Sequence, residues 1–228
     1  MSSASPSTPR PRRASSSTFP RRRSASTPHG IEPFFRETPP RAEVDARLRR
    51  LALPAGGILY IGSDEKRKNL VTLVMAYLAL ARKRRDLPSL ILAGPGSSWA
   101  QGGSRVGPQI LSTGWLERED IRALLAASRM LVLPSLEEGF GLPVVEAMAA
   151  GLPVVCSRGS ALSEVAGGDA LLVEPRDANA IAKAIARLVD DRALADDLRA
   201  RGRERSLQFD WDRTAAQTLA FYRKVLGR

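Results

Sequence analysis

Cysteine and histidine are all but missing: Cys156 and His29 are the single members of their kinds in 228 residues. One thiol cannot close an internal disulfide, and one Cys with one His cannot assemble a zinc site. A disulfide framework and Cys/His metal chemistry are therefore excluded, and a reducing compartment fits. Long apolar runs are lacking too. The longest, Leu70–Ala81, is interrupted by Thr72 and Tyr77 and is too short for a bilayer span. Acid is absent from residues 1–31, which hold six of the 35 basic residues, so a net charge of +11 drops to +5 over the remainder. A body at +5 accommodates anionic ligands without specifying any. With 43% hydrophobic and 26% charged residues, fibrous and wholly disordered classes are excluded.

The chain divides by texture into three parts. Residues 1–27 are Ser, Thr, Pro and Arg with almost nothing apolar to bury, and are expected to be disordered. For this leader three readings stand open: a nucleic-acid or membrane-surface tail, an Arg/Ser-rich transit peptide, or coding sequence foreign to the native protein. Residues 28–57 read as a hinge-like linker followed by a helix. Residues 58–228 alternate short apolar runs with helical patterns, the mark of βα units around a parallel sheet.

The runs are ILYIG (58–62), SLILAG (89–94), QILSTG (109–114), RMLVLPS (129–135), PVVCS (153–157) and ALLVE (170–174). Six such strands suffice for a Rossmann-like α/β sheet with helices on both faces. Leu70, Leu73, Val74, Tyr77, Leu78 and Ala81 share one face of a helix whose other face is expected to be Lys and Arg. Further helices are expected over 117–127, 142–150 and 178–189, the last capped by Asp177, with another around Leu194 and Leu198. A closing helix runs from about Trp211 to Leu226, with Asp210 as its N-cap.

The informative segment is PSLEEGFGLPVVEAMAAGLP (134–153), which reads strand, glycine turn, helix, glycine stop. Gly139 and Gly141 let backbone amides approach a ligand. Pro143 suits a first helical turn, and Gly151 ends the helix. The free N–H groups of that helix then face the carboxyl edge of the sheet, where an anion or a polyol is stabilised. Glu138 and Glu146, eight positions apart, can bracket one ligand, and carboxylates accept hydrogen bonds from the diols of a ribose or a sugar ring. The alternative, that Glu137, Glu138 and Glu146 are solvated acids favoured near a helix N-terminus, is equally open at this point.

EGFGLPVVEAMAAGLPVV resembles the E-x7-E segment of the GT-B glycosyltransferases of the large retaining family 4, in their C-terminal, nucleotide-sugar-binding domain. HGIEPFF is similar to that family's interdomain hinge, ILYIGSDEKRKNL to its first strand and phosphate loop, and FDWDRTAAQTLAFY to its closing helix. The resemblance spans roughly residues 28–228. It implies that Glu138 meets the hydroxyls of the transferred sugar as the catalytic residue. The backbone of Gly139, Phe140, Gly141 and Leu142 would hold sugar and diphosphate, and Glu146 the ribose. Lys68, aided by Arg67 and Asn69, would neutralise the diphosphate, and Gly114, Trp115 and Leu116 would border the nucleobase. No metal or other cofactor is implied; the nucleotide diphosphate sugar is substrate.

Ser63 stands where many members carry Arg, as in a mannosyltransferase-like subset reading G-[S/T]-x-x-x-R-K-N. Residues 97–108 are short and Gly-rich and lack the usual helix. Upstream of the hinge only about 27 low-complexity residues stand where the family has its acceptor-binding domain. The resemblance thus implies the donor half of a retaining hexosyltransferase. The donor is GDP-mannose or UDP-glucose, and the acceptor a saccharide, a lipid-linked sugar or a polysaccharide. The alternative is a truncated or noncatalytic nucleotide-sugar-binding module. A separate acceptor-domain protein is left open as a partner, and no specific nucleic acid is expected. A cytoplasmic location is expected, with peripheral membrane attachment left open. Elsewhere, His29 and Cys156 read as structural, Trp99 and Trp115 as base-stacking or packing residues, and Trp211 as an anchor of the last helix. Asp190 and Asp191 read as charges at a helix end rather than a metal pair.

Overall fold

The computed structural model describes residues 27–95 and 109–226, so residues 1–26 of the leader and the whole Gly-rich segment at 97–108, Trp99 included, lie outside the described residues. The six apolar runs become β1 (Ile58–Ile61), β2 (Leu90–Ala93), β3 (Ile110–Gly114), β4 (Met130–Leu133), β5 (Val154–Ser157) and β6 (Leu171–Val173). All pair in parallel, in the order β3-β2-β1-β4-β5-β6. β2, β4 and β5 are buried along their whole length, which is why they read as unbroken apolar runs rather than alternating ones.

The order reverses between β1 and β4. Right-handed crossovers then carry the chain outward in both directions from that pair and leave a crevice at its carboxyl end. Flanking the sheet are α1 (Arg41–Arg50), α2 (Leu70–Ala81), α3 (Arg118–Ala127), α4 (Leu142–Ala149), α5 (Ala161–Ala166), α6 (Ala178–Asp190), α7 (Arg192–Ser206) and α8 (Trp211–Leu226). α2 packs on α6, α4 on α7 and α1 on α3. Asp177 caps α6 by accepting from the amides of Asn179 and Ala180, and Asp210 caps α8 through Asp212 and Arg213. Asp191 likewise caps α7, while Asp190 takes both oxygens to the Arg84 guanidinium at 2.7 Å.

One expectation is corrected here. α2 contains no Lys or Arg, and the face turned away from its buried Leu70, Leu73, Val74 and Tyr77 is apolar: Val71, Met75 and Leu78 are all exposed. The basic residues that follow it, Arg82, Lys83, Arg84 and Arg85, fall beyond the helix. The hinge-like segment, for its part, is strapped to the α7–α8 junction. Ile31 N–H donates to the Phe209 carbonyl at 3.2 Å, and the Arg36 guanidinium donates to the carbonyls of Ser206 and Phe209 at 3.2 and 2.9 Å. Ile31 and Phe35 are buried in the common core.

Candidate functional site

β1 and β4, adjacent at the reversal, deliver their following loops to one place. After β1 the chain makes a short 3-10 turn at Lys66–Lys68; after β4 it runs through Ser135 to Gly141 before α4 begins. The two loops are joined by Leu136 N–H donating to the Arg67 carbonyl at 2.7 Å. Across that join, Lys68 Nζ donates to Glu138 Oε1 at 2.5 Å, Arg67 reaches Glu138 Oε2 at 3.4 Å, and Ser135 Oγ donates to Glu138 Oε1 at 2.9 Å. Glu138 is 7% and Lys68 12% exposed in their side chains, so their attraction is little screened by water. Residues 70 positions apart in sequence thus form one charged, polar cluster in the crevice.

The loop after β1 is held from behind. Tyr60 hydroxyl donates to the Ser63 carbonyl at 2.7 Å, and burial, reinforced by the negative charge of Glu138, pushes its pKa far up and keeps it a donor. Ser63 Oγ and Arg67 Nε both turn to Glu65, at 2.7 and 2.8 Å. Asn69 is fully engaged in the scaffold. Its amide nitrogen donates to the carbonyls of Pro134 and Pro175 at 2.9 and 2.6 Å, and its amide oxygen accepts from Thr72 at 2.6 Å. It also occupies the left-handed region, φ 57°, which Asn tolerates better than most residues. Asn69 therefore ties the loops after β1, β4 and β6 together.

The two glycines of the turn differ. Gly141 has φ +97°, and a Cβ there would stand 2.1 Å from Leu162 Cδ2, so the fold itself demands glycine. Gly139 has ordinary φ and open space where its Cβ would be. Packing gives no reason for glycine at 139, whereas close approach of a ligand to the backbone does. Leu142, the first residue of α4, is partly exposed at the helix N-terminus, and Phe140 packs edge-on against His29 and Phe209, with centroids at 5.1 and 5.6 Å.

Glu146 lies apart from this cluster. Its carboxyl accepts no hydrogen bond among the described residues, and its surroundings are the ion pair between Glu32 of the hinge segment and Arg118 at the start of α3. Burial first, then the Glu32 charge, outweigh Arg118 and push its pKa up to about 7. Sequence reasoning missed Glu32 and Arg118; the one available signal was Glu32 inside HGIEPFF. Gly114 ends β3 with φ 70° and bridges Gly94, whose own Cβ would stand 2.2 Å from the Gly62 carbonyl oxygen. The carboxyl ends of β1, β2 and β3 thus meet backbone to backbone. Trp115 is 75% exposed, so the packing reading fails for it, and Leu116 lies partly buried against the core. Cys156 is fully buried and its thiol is pushed up to about 12 by burial alone, as an inert core residue requires. Among the described residues no group of three or more His, Cys, Asp or Glu side chains comes together to hold a metal, and no helix is long and apolar enough to cross a membrane.

Residues 55–191 match the family described as glycosyl transferases group 1. The O-antigen chain mannosyltransferase B of Escherichia coli is 39% identical over 176 residues, 74% of this chain and 46% of that protein. Among solved structures, sucrose-phosphate synthase from Thermosynechococcus elongatus superposes with a TM-score of 0.70 at 30% identity, over 88% of this chain and 52% of its own. An Anabaena protein solved in complex with UDP and glucose superposes with a TM-score of 0.69 at 22% identity, over 84% and 55%, a likeness of fold. The chain spans about half the length of each.

Proposed function

Because the chain belongs to the group 1 glycosyltransferases, we propose that the crevice around Glu138 is the donor site of a retaining hexosyltransferase. The single observation that carries this reading is the joining of Lys68, Arg67 and Ser135 on the Glu138 carboxylate, beside the N-terminus of α4 and an unencumbered Gly139. A diphosphate needs cations and amide donors to stabilise charge on the leaving nucleotide, which Lys68, Arg67 and the α4 N-terminus supply. A sugar ring needs a fixed acceptor for its hydroxyls, which Glu138 supplies. Glu146, one turn inside α4, takes the ribose diol, and Gly114, Trp115 and Leu116 border the base. Asn69 contributes by holding the loop rather than by touching donor.

GDP-mannose is the donor we favour, on the strength of the mannosyltransferase relative, with UDP-glucose as the competitor that the UDP-bound structure supports. Transfer to a saccharide, lipid-linked or polysaccharide acceptor requires a second, acceptor-binding domain, supplied by a longer chain or by another protein. α8 supports this requirement: none of its residues is buried, and Leu219, Tyr222, Val225 and Leu226 form an exposed apolar face.

Titration of GDP-mannose and UDP-glucose into the wild type and into Lys68→Ala and Glu138→Ala by calorimetry tests the reading. One donor binds more tightly than the other, and each substitution weakens it roughly tenfold or more, the loss of one charge-assisted contact. Unchanged affinity in both variants overturns the site. Any turnover seen after an acceptor domain is supplied disappears in Glu138→Ala.

A further inference from the structure

At the opposite edge of the sheet, where β4 and β5 begin, lies a cavity of about 200 Å³ that no part of the donor reading uses. Its walls come from the end of α3 (Arg122, Ser128), the stop after α4 (Gly151) and α7 (Arg199, Arg203), with Glu37 at its mouth. Three guanidinium groups thus meet one carboxylate. The carbonyl ends of α3 and α4 open at the same edge and add about half a negative charge each.

The partners of those arginines are unequal. Arg122 is held at 3.3 Å by Glu43 and at 3.9 Å by Glu37, and Arg199 at 2.6 Å by Asp196, outside the cavity. Arg203 has no carboxylate partner among the described residues. Its guanidinium lies directly over Gly151, so closely that a Cβ there would meet Nε at 2.3 Å. Two further groups in the wall are buried without any hydrogen-bond partner: the Ser128 hydroxyl and the Arg122 Nε–H. Buried donors left unsatisfied are uncommon and call for an occupant that accepts hydrogen bonds.

We infer that this cavity is a second ligand site, binding a phosphoryl group, free or as the ester of a small sugar, through Arg203, Arg199 and the Ser128 and Arg122 donors. A phosphoryl group offers several charged acceptor oxygens to guanidinium forks and hydroxyls together. The volume leaves room beside it for a monosaccharide. α4 joins the two sites, its N-terminus at the donor crevice and its C-terminal stop in this wall, so occupancy here bears on the end of a helix whose other end meets the donor.

The test is calorimetric titration of the whole chain with inorganic phosphate, mannose 6-phosphate and mannose, with and without saturating GDP. Phosphate and mannose 6-phosphate are expected to bind whether or not GDP is present, and mannose alone is not. Equal affinity of the two anions assigns the site to phosphate itself, and tighter binding of the ester assigns it to a sugar phosphate. Arg203→Ala is expected to weaken binding roughly tenfold or more and Arg203→Lys to restore part of it, while GDP affinity stays at the wild-type value. Arg199→Ala, one turn earlier on α7, gives an independent loss should Arg203→Ala fail to fold. Absence of binding at millimolar anion, displacement by GDP, or wild-type affinity in folded Arg203→Ala and Arg199→Ala overturns the inference without touching the donor reading.

Discussion

Glu138 and Glu146 carry the same side chain on one short segment, yet their surroundings differ in kind. Glu138 is held by two cations and a hydroxyl; Glu146 is half-buried beside another carboxylate, and its pKa is pushed up to about 7. Unfolded, a glutamate releases its proton near about pH 4.3. The folded form of Glu146 therefore binds the proton more tightly, so its contribution to stability is greatest below about pH 4.3 and declines as pH rises to about 7. Glu146→Gln is expected to flatten that part of the stability curve and raise the melting temperature at about pH 8, as thermal unfolding across pH will read. A ribose diol donates to the ionised carboxylate, so nucleotide affinity is expected to fall as pH drops below about 7 and to lose that dependence in Glu146→Gln. At this scale the sequence was partly legible. Glycine at 139 and 141 looked alike, and only three-dimensional contact separates the one the fold needs from the one it does not. Gly141→Ala, forced against Leu162 at a positive φ, is expected to cost about 3 kcal/mol in chemical denaturation. Gly139→Ala is expected to leave stability unchanged and weaken donor binding.

The strands were legible because a parallel sheet covered on both faces demands unbroken apolar runs, and all six runs became strands. The outer face of α2 was not, since periodicity marks the buried face and says nothing of whether the other side is polar. α1 was legible only as a helix of some kind: it buries just Val44 and Leu48, and it is held to α3 instead by Arg47 and Arg50, which meet the buried Asp120 at 2.9 and 2.5 Å. Burial opposes ionisation of Asp120, but the two arginines prevail and hold it below the usual carboxylate range. This contribution is present at neutral pH and is lost as pH falls through that depressed value. Asp120→Asn is expected to destabilise by about 2 kcal/mol at neutral pH, read by denaturant midpoint. The family resemblance makes Asn69 an aid to Lys68 at the diphosphate, and its long-range bonds to Pro134 and Pro175 could not be seen in the sequence. Asn69→Ala is expected to cost about 2 kcal/mol of stability through those lost bonds.

For the molecule as a whole, topology does what no local motif can. The loop after β1 and the loop after β4 are far apart in the chain, and only the reversal of strand order brings Lys68 to Glu138. On the proposed function, this meeting point reads a nucleotide diphosphate. The most direct measurement is a cycle of four affinities, GDP and guanosine each against the wild type and Lys68→Ala. GDP is expected to bind the wild type more tightly than guanosine, most of this advantage is expected to disappear in Lys68→Ala, and guanosine affinity is expected to stay unmoved. The coupling expected is about 1.5–3 kcal/mol, the worth of a charge-assisted contact. An equal loss of GDP and guanosine affinity, or no loss of either, would contradict it.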